Sequence, residues 1–442
     1  MKLSEKWSWV KTESKDFSNA LDLIMNTNES LFLFGPGGTG KSVLLRIAYD
    51  TFPNALVLGP TGVSAANLVA DGVKASTIHS ALHIPPVPIF DSKAKMTVEA
   101  VRLIASASII LIDEVSMINA SLMDFLLKMF LKAGTKKPRV ILFGDLFQLP
   151  PVVDNNNVKI RNYFNKKYKG GLFFFNAMFY KLYKFKVIHL NEIYRQKDPT
   201  FKSALNNIRL GLPTEEDFKL INTRQVDKDK FIKEHELMLY LATTNKVVKY
   251  LNEEYSARPE FSIKMTYNAV VTGDFNIAKN TLTDPVVKIA VGQQVMCIFN
   301  NKRLGYQNGT LGKVVAIYPE RVIIKKANGL QVSVVKETWQ NFELGIDKKT
   351  GTISYKITGS CEQIACKPAF SVTVHKSQSL SLDALFLDLS SNFIPDAGIY
   401  LALSRCRTLE GIGLSRPLRD SDVKVNVEAL TFFAENMEEE TT

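Results

Sequence analysis

Gly35-Pro36-Gly37-Gly38-Thr39-Gly40-Lys41-Ser42 fits the pattern Gly-x-x-x-x-Gly-Lys-Ser/Thr of a P-loop that binds a nucleoside triphosphate. The loop follows an apolar run at residues 31–34, which predicts a buried strand, and precedes residues 43–48, which predict a helix. Glycines in this setting let successive backbone N–H groups and the helix N-terminus face phosphate oxygens. We therefore predict a nucleotide-binding α/β domain rather than a glycine-rich turn that holds no ligand.

The two residues that end the loop have roles of their own. Lys41 is expected to contact the β- and γ-phosphates, and the Ser42 hydroxyl is expected to bind Mg²⁺. The chain is thus predicted to be an NTP-driven protein, and the remaining sequence must show what it drives.

The composition is that of an ordinary globular protein. Of its residues, 46% are hydrophobic and 22% are charged. The length of 442 residues is sufficient for two to four domains with full-sized cores. No apolar run approaches the length of a membrane span, and the N-terminus has no apolar signal region. We expect no membrane partner and a cytoplasmic, nucleoid-associated location.

Charge and cysteine content narrow the partners further. The net charge of +11 favours a polyanionic partner such as nucleic acid, although a lysine-rich surface that only aids solubility is the alternative. The four cysteines form no C-x-x-C pair and have no histidine at ligand spacing, so we expect reduced thiols rather than zinc or disulfides.

Polar residues follow each of four apolar runs in the first 190 residues. The runs cover residues 31–34, 55–58, 109–112 and 140–143, and their length between helical stretches predicts parallel strands buried on both faces. Open α/β sheets bind ligands at the carboxyl ends of their strands. We therefore expect the residues after these runs to form the site.

A second set of α/β segments lies in the rest of the chain. Strands are predicted at residues 237–241, 370–374, 385–389 and 411–414, without a second P-loop. Residues 265–367 alternate between apolar and polar positions and contain two Asn-Gly turns, which predict an inserted small β-barrel. Three prolines at 85, 86 and 88 exclude a regular helix from a smaller insertion at 81–98. The acidic segment from Glu435 onward is expected to be disordered.

Acidic and amide side chains follow the third and fourth strands. Asp113 is placed to bind the water shell of Mg²⁺, and Glu114 to polarise the attacking water. Gln148 is a candidate for contact with the γ-phosphate, the alternative being a polar turn that ends at two prolines. Arg195 and Arg405, which we assign to the second domain, are candidates for arginine fingers that act when the domains close.

Hydroxyl and basic residues also fall at strand ends or in loops on the same face. Such groups suit the phosphate backbone of a nucleic acid, although a single histidine is as often structural. The candidates are Thr61, Thr77, His79, Thr243, Thr373, His375 and Lys376.

Taken in order, the sequence blocks resemble those of superfamily-one, subgroup B helicases, close to the petite-integration-frequency (PIF) DNA helicases and related to RecD. The resemblance spans nearly the whole chain. The blocks are GPGGTGKS (35–42), GPTGVSAANL (59–68), STIHS (76–80), LIDEVSM (111–117), GDLFQLPPV (144–152), LNEIYRQ (190–196), LATTNKVV (241–248), VGQQVM with NGTLGKV (291–314), FSVTVHKSQSLSLD (370–383) and YLALSRCRTLEGI (400–412).

This resemblance implies a fold of two RecA-like parallel-sheet domains with ATP between them and single-stranded DNA across their top. The first domain would cover residues 1–80 and 99–188, with a wedge insertion at 81–98. The second would cover 189–264 and 368–434, with an SH3-like β-barrel at 265–367 and an acidic tail at 435–442. Lys41, Glu114, Gln148, Arg195 and Arg405 would be catalytic, with Ser42 and Asp113 at the metal.

The resemblance also completes the candidate DNA-binding set with Pro60, Ser80 and Asn245. Two positions depart from the family pattern. Asn19 lies near the place of an adenine-reading glutamine, and Ser379 replaces the glycine that usually follows His-Lys-Ser-Gln. Strict adenine specificity and one contact near Ser379 are therefore in question.

The leading hypothesis is an ATP-dependent 5′→3′ DNA helicase that acts on single-stranded DNA and on single-strand/duplex junctions, with G-quadruplexes or RNA–DNA hybrids as further possible substrates. We expect a monomer, with a dimer on DNA as the alternative. Three other functions stay open at this point: a single-strand translocase, an RNA helicase, and a P-loop ATPase that is a switch rather than a motor.

Overall fold

The computed structural model describes residues 7, 14–70, 72–90, 96–134, 137–154, 156–261, 264–281, 283–301, 303–347, 349–378, 380–390 and 394–438. The chain forms two compact units. The first contains Met1–Arg195, Phe342–Lys356 and Asn426–Thr442, and the second contains Gln196–Asn341 and Ile357–Val425. Within the described residues, no helix combines the length and the apolar character needed to cross a membrane.

The first unit is built on a six-stranded parallel sheet. Its strands are β1 (Leu31–Phe34), β2 (Ala55–Gly59), β3 (Ala75–Thr77), β4 (Ile109–Ile112), β5 (Val140–Gly144) and β6 (Lys186–His189). Their order is β3-β2-β4-β5-β1-β6, and every pairing is parallel. β1, β2, β4 and β5 are buried along their whole length, which confirms the predicted α/β fold with its doubly covered parallel strands.

Helices cover this sheet and share its core. They are α1 (Lys15–Asn26), α2 (Lys41–Thr51), α3 (Gly62–Ala70), α4 (Ile78–Ala81), α5 (Val98–Ser106), α6 (Ala120–Lys132), α7 (Val158–Tyr168) and α8 (Met178–Tyr183). α1 begins where the Ser14 hydroxyl accepts the Phe17 N–H, and α6 begins where the Asn119 side chain accepts the Leu122 N–H. Apolar residues of α1 and α2 pack on the sheet in one continuous cluster.

The second unit combines helices with two kinds of sheet. Its helices are α9 (Pro199–Leu210), α10 (Glu215–Asn222), α11 (Lys228–Glu234), α12 (Asn245–Ser256), α13 (Ile277–Asn280) and α14 (Gly398–Leu403). The remaining strands of the chain are β7 (Leu239–Ala242), β8 (Lys264–Asn268), β9 (Val270–Gly273), β10 (Val286–Ala290), β11 (Gln294–Cys297), β12 (Leu311–Tyr318), β13 (Arg321–Lys325), β14 (Gln331–Ile346), β15 (Ile353–Ile364), β16 (Cys366–Pro368), β17 (Ser371–Thr373), β18 (Leu385–Leu387) and β19 (Ile412–Leu414).

The two kinds of sheet match the two textures seen in the sequence. β17, β7, β18 and β19 form a second parallel sheet in that order. The strands between β7 and β17 form a seven-stranded sheet and a two-stranded sheet, antiparallel in every described pairing and with an apolar core of their own. An inserted antiparallel region is thus present, and its SH3-like closure stays a prediction.

The units differ from the predicted boundaries in three places. The expected start of the second domain at residue 189 is too early, because β6 pairs with β1 and the chain stays in the first unit through Arg195. The tip of the β14–β15 hairpin, Phe342–Lys356, belongs to the first unit. The last helix, α15 (Val427–Glu438), also belongs there, and it is ordered into the segment predicted to be a disordered tail. Residues 439–442 lie outside the described part.

In the predicted wedge insertion, the described residues 82–90 contain no helix, as the prolines require. The Phe90 N–H donates to the Ser121 hydroxyl at 2.8 Å, which ties this segment to α6. Residues 91–95 lie outside the described part.

Candidate functional site

The candidate residues of the first unit follow neighbouring strands at one edge of its sheet. Parallel register pairs Phe34 with Gly144, Leu58 with Ile112, and Gly59 with Thr77, so these strands end side by side. Across the edge, from β3 to β6, the segments that follow are 78–80, 60–61, 113–114, 145–148, 35–42 and 190–195. The predicted nucleotide residues thus follow the four neighbouring strands β4, β5, β1 and β6, and the predicted DNA contacts of this unit follow the other two, β3 and β2.

The P-loop has a backbone that requires glycine at two of its positions. Gly38 and Gly40 have φ angles of 94° and 90°, a region that other residues rarely adopt. A Cβ at Gly40 would lie 2.8 Å from the Phe17 ring, and one at Gly38 would lie 2.7 Å from the Arg195 Cβ. Phe17 and Arg195 therefore pack directly against the loop.

Lys41 lies over its own loop. Its Nζ donates to the Gly35 carbonyl at 2.7 Å and to the Pro36 carbonyl at 2.8 Å. The buried Thr39 hydroxyl donates to the Pro36 carbonyl as well, at 3.0 Å. These bonds fold the loop around the ammonium group of Lys41. Because α2 begins at Lys41, the N-terminal N–H groups of this helix point into the loop.

The acid pair follows β4. The Asp113 N–H donates to the Leu58 carbonyl at 3.0 Å, and Glu114 adopts a left-handed backbone with φ of 49°. Burial raises the pKa of Asp113 to about 6, opposed by the Glu114 N–H and by the charge of Lys41. Because only β5 separates β4 from β1, the acid lies close enough to the loop for the charge of Lys41 to act on this pKa.

These residues suit a magnesium ion. Hard cations of this type prefer oxygen ligands, a carboxylate together with hydroxyl groups and water. The Asp113 carboxylate and the exposed Ser42 hydroxyl offer such a set, close to the loop that would hold phosphates. The donor chemistry therefore fits the predicted ion.

Gln148 is held by a residue that the sequence analysis did not single out. Its Nε2 donates to Asp145 Oδ2 at 3.0 Å, while Asp145 Oδ1 accepts the Phe147 N–H at 3.1 Å. Asp145 and Gln148 are 1% and 6% exposed. The signal was available, because an aspartate three residues before a glutamine in a tight turn can bond its amide.

Arg195 lies in the first unit, so its predicted place in the second domain is wrong. The Tyr194 N–H donates to the Gly38 carbonyl at 2.9 Å. The Asp16 carboxyl accepts the backbone N–H groups of Asn191 and Glu192. Both contacts fasten the segment after β6 beside the P-loop, so any action of Arg195 on a nucleotide there comes from the same domain.

Arg405 lies in the second unit, just after α14, and is 2% exposed. Its Nε donates to the Leu401 carbonyl at 3.0 Å and its Nη2 donates to the Ser404 hydroxyl at 2.9 Å. The nearby Arg407 is exposed and pairs with Asp383 at 2.6 Å. The predicted finger role of Arg405 stays a prediction.

Two of the threonines predicted to bind DNA also cap helices. The Thr61 hydroxyl accepts the Ser64 N–H at 3.1 Å at the start of α3, and the Thr77 hydroxyl accepts the Ser80 N–H at 3.1 Å at the start of α4. Both are half-buried, as is Pro60, and Ser80 is exposed. The capping role accounts for the hydroxyls locally and leaves their role in DNA binding a prediction.

His79 is half-buried, with its ring stacked on Phe90 at 6.5 Å between ring centroids. Burial lowers the pKa of His79, which favours the neutral ring at physiological pH. Asn19 lies on the exposed side of α1, the helix that brings Phe17 to the P-loop. Its contact with a base stays a prediction.

The second unit repeats the edge arrangement. Thr373 of β17 pairs with Ala242 of β7, so these two strands end side by side. Thr243 and Asn245 lie in the segment after β7, and His375 and Lys376 lie in the segment after β17. His375, Lys376 and Asn245 are exposed. The buried Thr373 hydroxyl accepts the Lys376 N–H at 3.2 Å, which shapes the loop. Ser379 lies outside the described residues.

A P-loop, an acid pair and a buried glutamine on one strand edge, followed by a second parallel sheet, define a P-loop NTPase with two RecA-like domains. A family model described as PIF1-like helicase matches residues 11–218. The chain is 27% identical over 403 residues to the ATP-dependent DNA helicase Pif1 of Campylobacter jejuni, covering 85% of this chain and 86% of that protein. The family-model match and the Campylobacter jejuni relative confirm the resemblance to PIF1-like helicases that the sequence blocks predicted.

Two solved structures of Pif1 helicases are similar to this chain over nearly its full length. The structure of a Bacteroides sp Pif1 in complex with ADP-AlF4 matches with a TM-score of 0.86 and 28% identity, covering 97% of this chain and 98% of that one. Bacteroides Pif1 bound to ssDNA matches with a TM-score of 0.66 and 28% identity, covering 98% of each chain.

Proposed function

We propose that this protein is an ATP-dependent DNA helicase that moves along single-stranded DNA and separates duplex strands. The observation that carries the proposal is the arrangement of the first sheet edge, where the P-loop, Asp113, Glu114 and Gln148 follow adjacent strands. The likeness to Pif1 helicases, one bound to ADP-AlF4 and one to single-stranded DNA, supports both the nucleotide and the substrate.

When bound, ATP supplies the phosphoryl bond whose hydrolysis provides the energy. The P-loop N–H groups and Lys41 bind and orient the phosphates, and Lys41 exchanges its bonds to the loop carbonyls for this contact. Ser42 and Asp113 would hold Mg²⁺. Glu114 orients the attacking water and accepts its proton, and the amide of Gln148 is kept in place by Asp145.

The two arginines are proposed to stabilise the charge of the transition state from different domains. Arg195 is packed against Gly38 and acts from the domain that holds the P-loop. The bonds of Arg405 to Leu401 and Ser404 use two of the five N–H donors of its guanidinium and fix the side chain at the end of α14. Its action on a phosphate bound at the P-loop is proposed to depend on movement of its domain, which would couple hydrolysis to movement.

DNA is proposed to contact the other residues of the two strand edges. Exposed Lys376 offers charge, and exposed His375 and Asn245 offer hydrogen bonds, to phosphates in the second unit. In the first unit, exposed Ser80 and half-buried His79 offer hydrogen bonds. We propose 5′→3′ movement on the strength of the family resemblance, and a monomer as the working form.

The experiment compares the ATPase rate of the purified protein alone, with single-stranded DNA and with RNA of the same sequence. A tailed duplex tests unwinding in parallel. Stimulation by DNA together with unwinding supports the proposal. Stimulation without unwinding would indicate a translocase, preference for RNA an RNA helicase, and a rate indifferent to nucleic acid a switch.

A further inference from the structure

Phe433, in the C-terminal helix α15, contacts three aromatic rings at the ends of β1 and β6 and in the turn after β5. Its ring centroid is 6.0 Å from Phe34, 5.5 Å from Phe147 and 5.2 Å from His189, with interplanar angles of 88°, 74° and 85°. These edge-to-face geometries are favourable for aromatic pairs. Phe34 and His189 also stack on each other at 4.6 Å, so the four rings form one cluster.

Each ring that Phe433 contacts belongs to a residue next to the site. Phe34 immediately precedes Gly35 of the P-loop, Phe147 precedes Gln148, and His189 precedes Leu190, the first residue of the segment that leads to Arg195. Leu190 matters because its carbonyl oxygen packs so closely on Gly35 that a Cβ there would overlap it. One side chain thus contacts the ends of β1, β6 and the turn after β5. These are the elements that set the relative positions of the P-loop, of Gln148 and of the segment leading to Arg195.

The position of α15 is fixed by contacts that do not involve Phe433. The Glu428 carboxyl accepts the Leu172 N–H at 3.0 Å and the Asn176 Nδ2–H at 2.8 Å. The neighbouring Phe432 stacks on Phe175 at 4.3 Å with an interplanar angle of 21°. Removing the Phe433 ring would therefore leave the helix attached and open a gap among the three strand ends.

We propose that Phe433 is a positioning residue for ATP hydrolysis, holding the P-loop strand and the Gln148 turn in their working register. This inference rests on the proposed ATPase function. A small displacement is sufficient for a large effect, because a shift of about 1 Å in a catalytic constellation can reduce the rate by about 100-fold. Nucleotide binding, which uses many backbone contacts of the P-loop, would change less than the rate of hydrolysis.

The test compares Phe433→Ala with Phe432→Ala, the same substitution one residue away on the same helix. The Phe432 ring packs on Phe32, Phe175 and Tyr180, none of which is adjacent in sequence to a residue of the site. Both variants lose a partly buried ring and are expected to have similarly lowered melting temperatures. Only Phe433→Ala is expected to reduce the kcat of DNA-stimulated ATPase, by about tenfold or more with a smaller change in KM for ATP. Phe433→Leu, which keeps most of the volume, is expected to restore most of kcat.

Equal effects of the two alanine variants on kcat would overturn the inference, since a purely structural role predicts them. If Phe433→Ala does not fold, the comparison is made between Phe433→Val and Phe432→Val, which also remove the ring but leave a smaller gap, and equal losses of kcat in these two variants would overturn it as well. Absence of ATPase activity in the wild-type protein would instead refute the proposed function, so the two failures are distinct.

Discussion

Asp145→Asn tests how the site holds its glutamine. The Asp145 carboxylate has two acceptor oxygens, Oδ2 for Gln148 Nε2 at 3.0 Å and Oδ1 for the Phe147 N–H at 3.1 Å. The substitution keeps size and shape but leaves one acceptor oxygen and one NH₂ donor to face these two N–H donors. If the new amide oxygen continues to accept the Phe147 N–H, its NH₂ group faces the Gln148 NH₂ group. The Gln148 amide must then turn over, or the bond is lost.

The magnitude follows from the bond that is removed. A hydrogen bond to a charged group contributes about 1.5–3 kcal/mol, and about 1.4 kcal/mol corresponds to tenfold in rate, so we expect kcat to fall by about 10- to 100-fold. The assay is steady-state ATPase with saturating single-stranded DNA. The affinity for ADP should change little, because the P-loop contacts are untouched, and this measurement is the control for folding.

A double-mutant cycle makes the reasoning refutable. If Asp145 acts through Gln148, then Asp145→Asn combined with Gln148→Ala should have the same kcat as Gln148→Ala alone. Multiplicative losses in the double variant, or wild-type turnover in Asp145→Asn, would show that the 3.0 Å bond does not support catalysis.

Further outcomes are expected for charge and pH. Arg195→Ala and Arg405→Ala should bind nucleotide yet hydrolyse it about 10³-fold more slowly, and wild-type turnover in either would remove that arginine from the mechanism. The pKa of Asp113 is raised to about 6, so its ionised form is lost as the pH falls through that value. We therefore expect kcat/KM for ATP to drop near pH 6, and a profile that stays flat down to pH 5 would contradict the role of Asp113 in the site. The affinity for single-stranded DNA should fall with salt, with a log–log slope of about −0.7 per phosphate contact, whereas a flat response would mean that the charge of +11 only aids solubility.

The central strands were predictable because they are continuous apolar runs between helical stretches. β1 and β4 were expected at residues 31–34 and 109–112 and are found there. β3 and β6 were missed for physical reasons. β3 has three residues, too few for a periodic signal, and β6 begins with an exposed lysine and is identified only by its pairing with β1.

The residues of the site were easier to name than to place. Gln148 was expected from its motif, but the bond from Asp145 that holds it depends on the local turn. Arg195 was assigned to the wrong domain because the sequence gives no sign that β6 returns to the first sheet. α15 was missed in part because acidic composition indicates a solvated tail, whereas two adjacent phenylalanines, Phe432 and Phe433, anchor it in an aromatic core.

Strand separation by the purified protein is the most direct test of the helicase function. Two partial duplexes of equal sequence are used, one with a 5′ single-stranded tail and one with a 3′ tail, each with ATP and Mg²⁺, and Lys41→Ala is the matched control. We predict ATP-dependent unwinding from the 5′ tail. We predict none with Lys41→Ala, which removes an ammonium group bonded to the loop carbonyls of Gly35 and Pro36 and should therefore leave the core intact. Unwinding only from the 3′ tail would contradict the direction, and no unwinding of either duplex at a normal ATPase rate would contradict the helicase function itself.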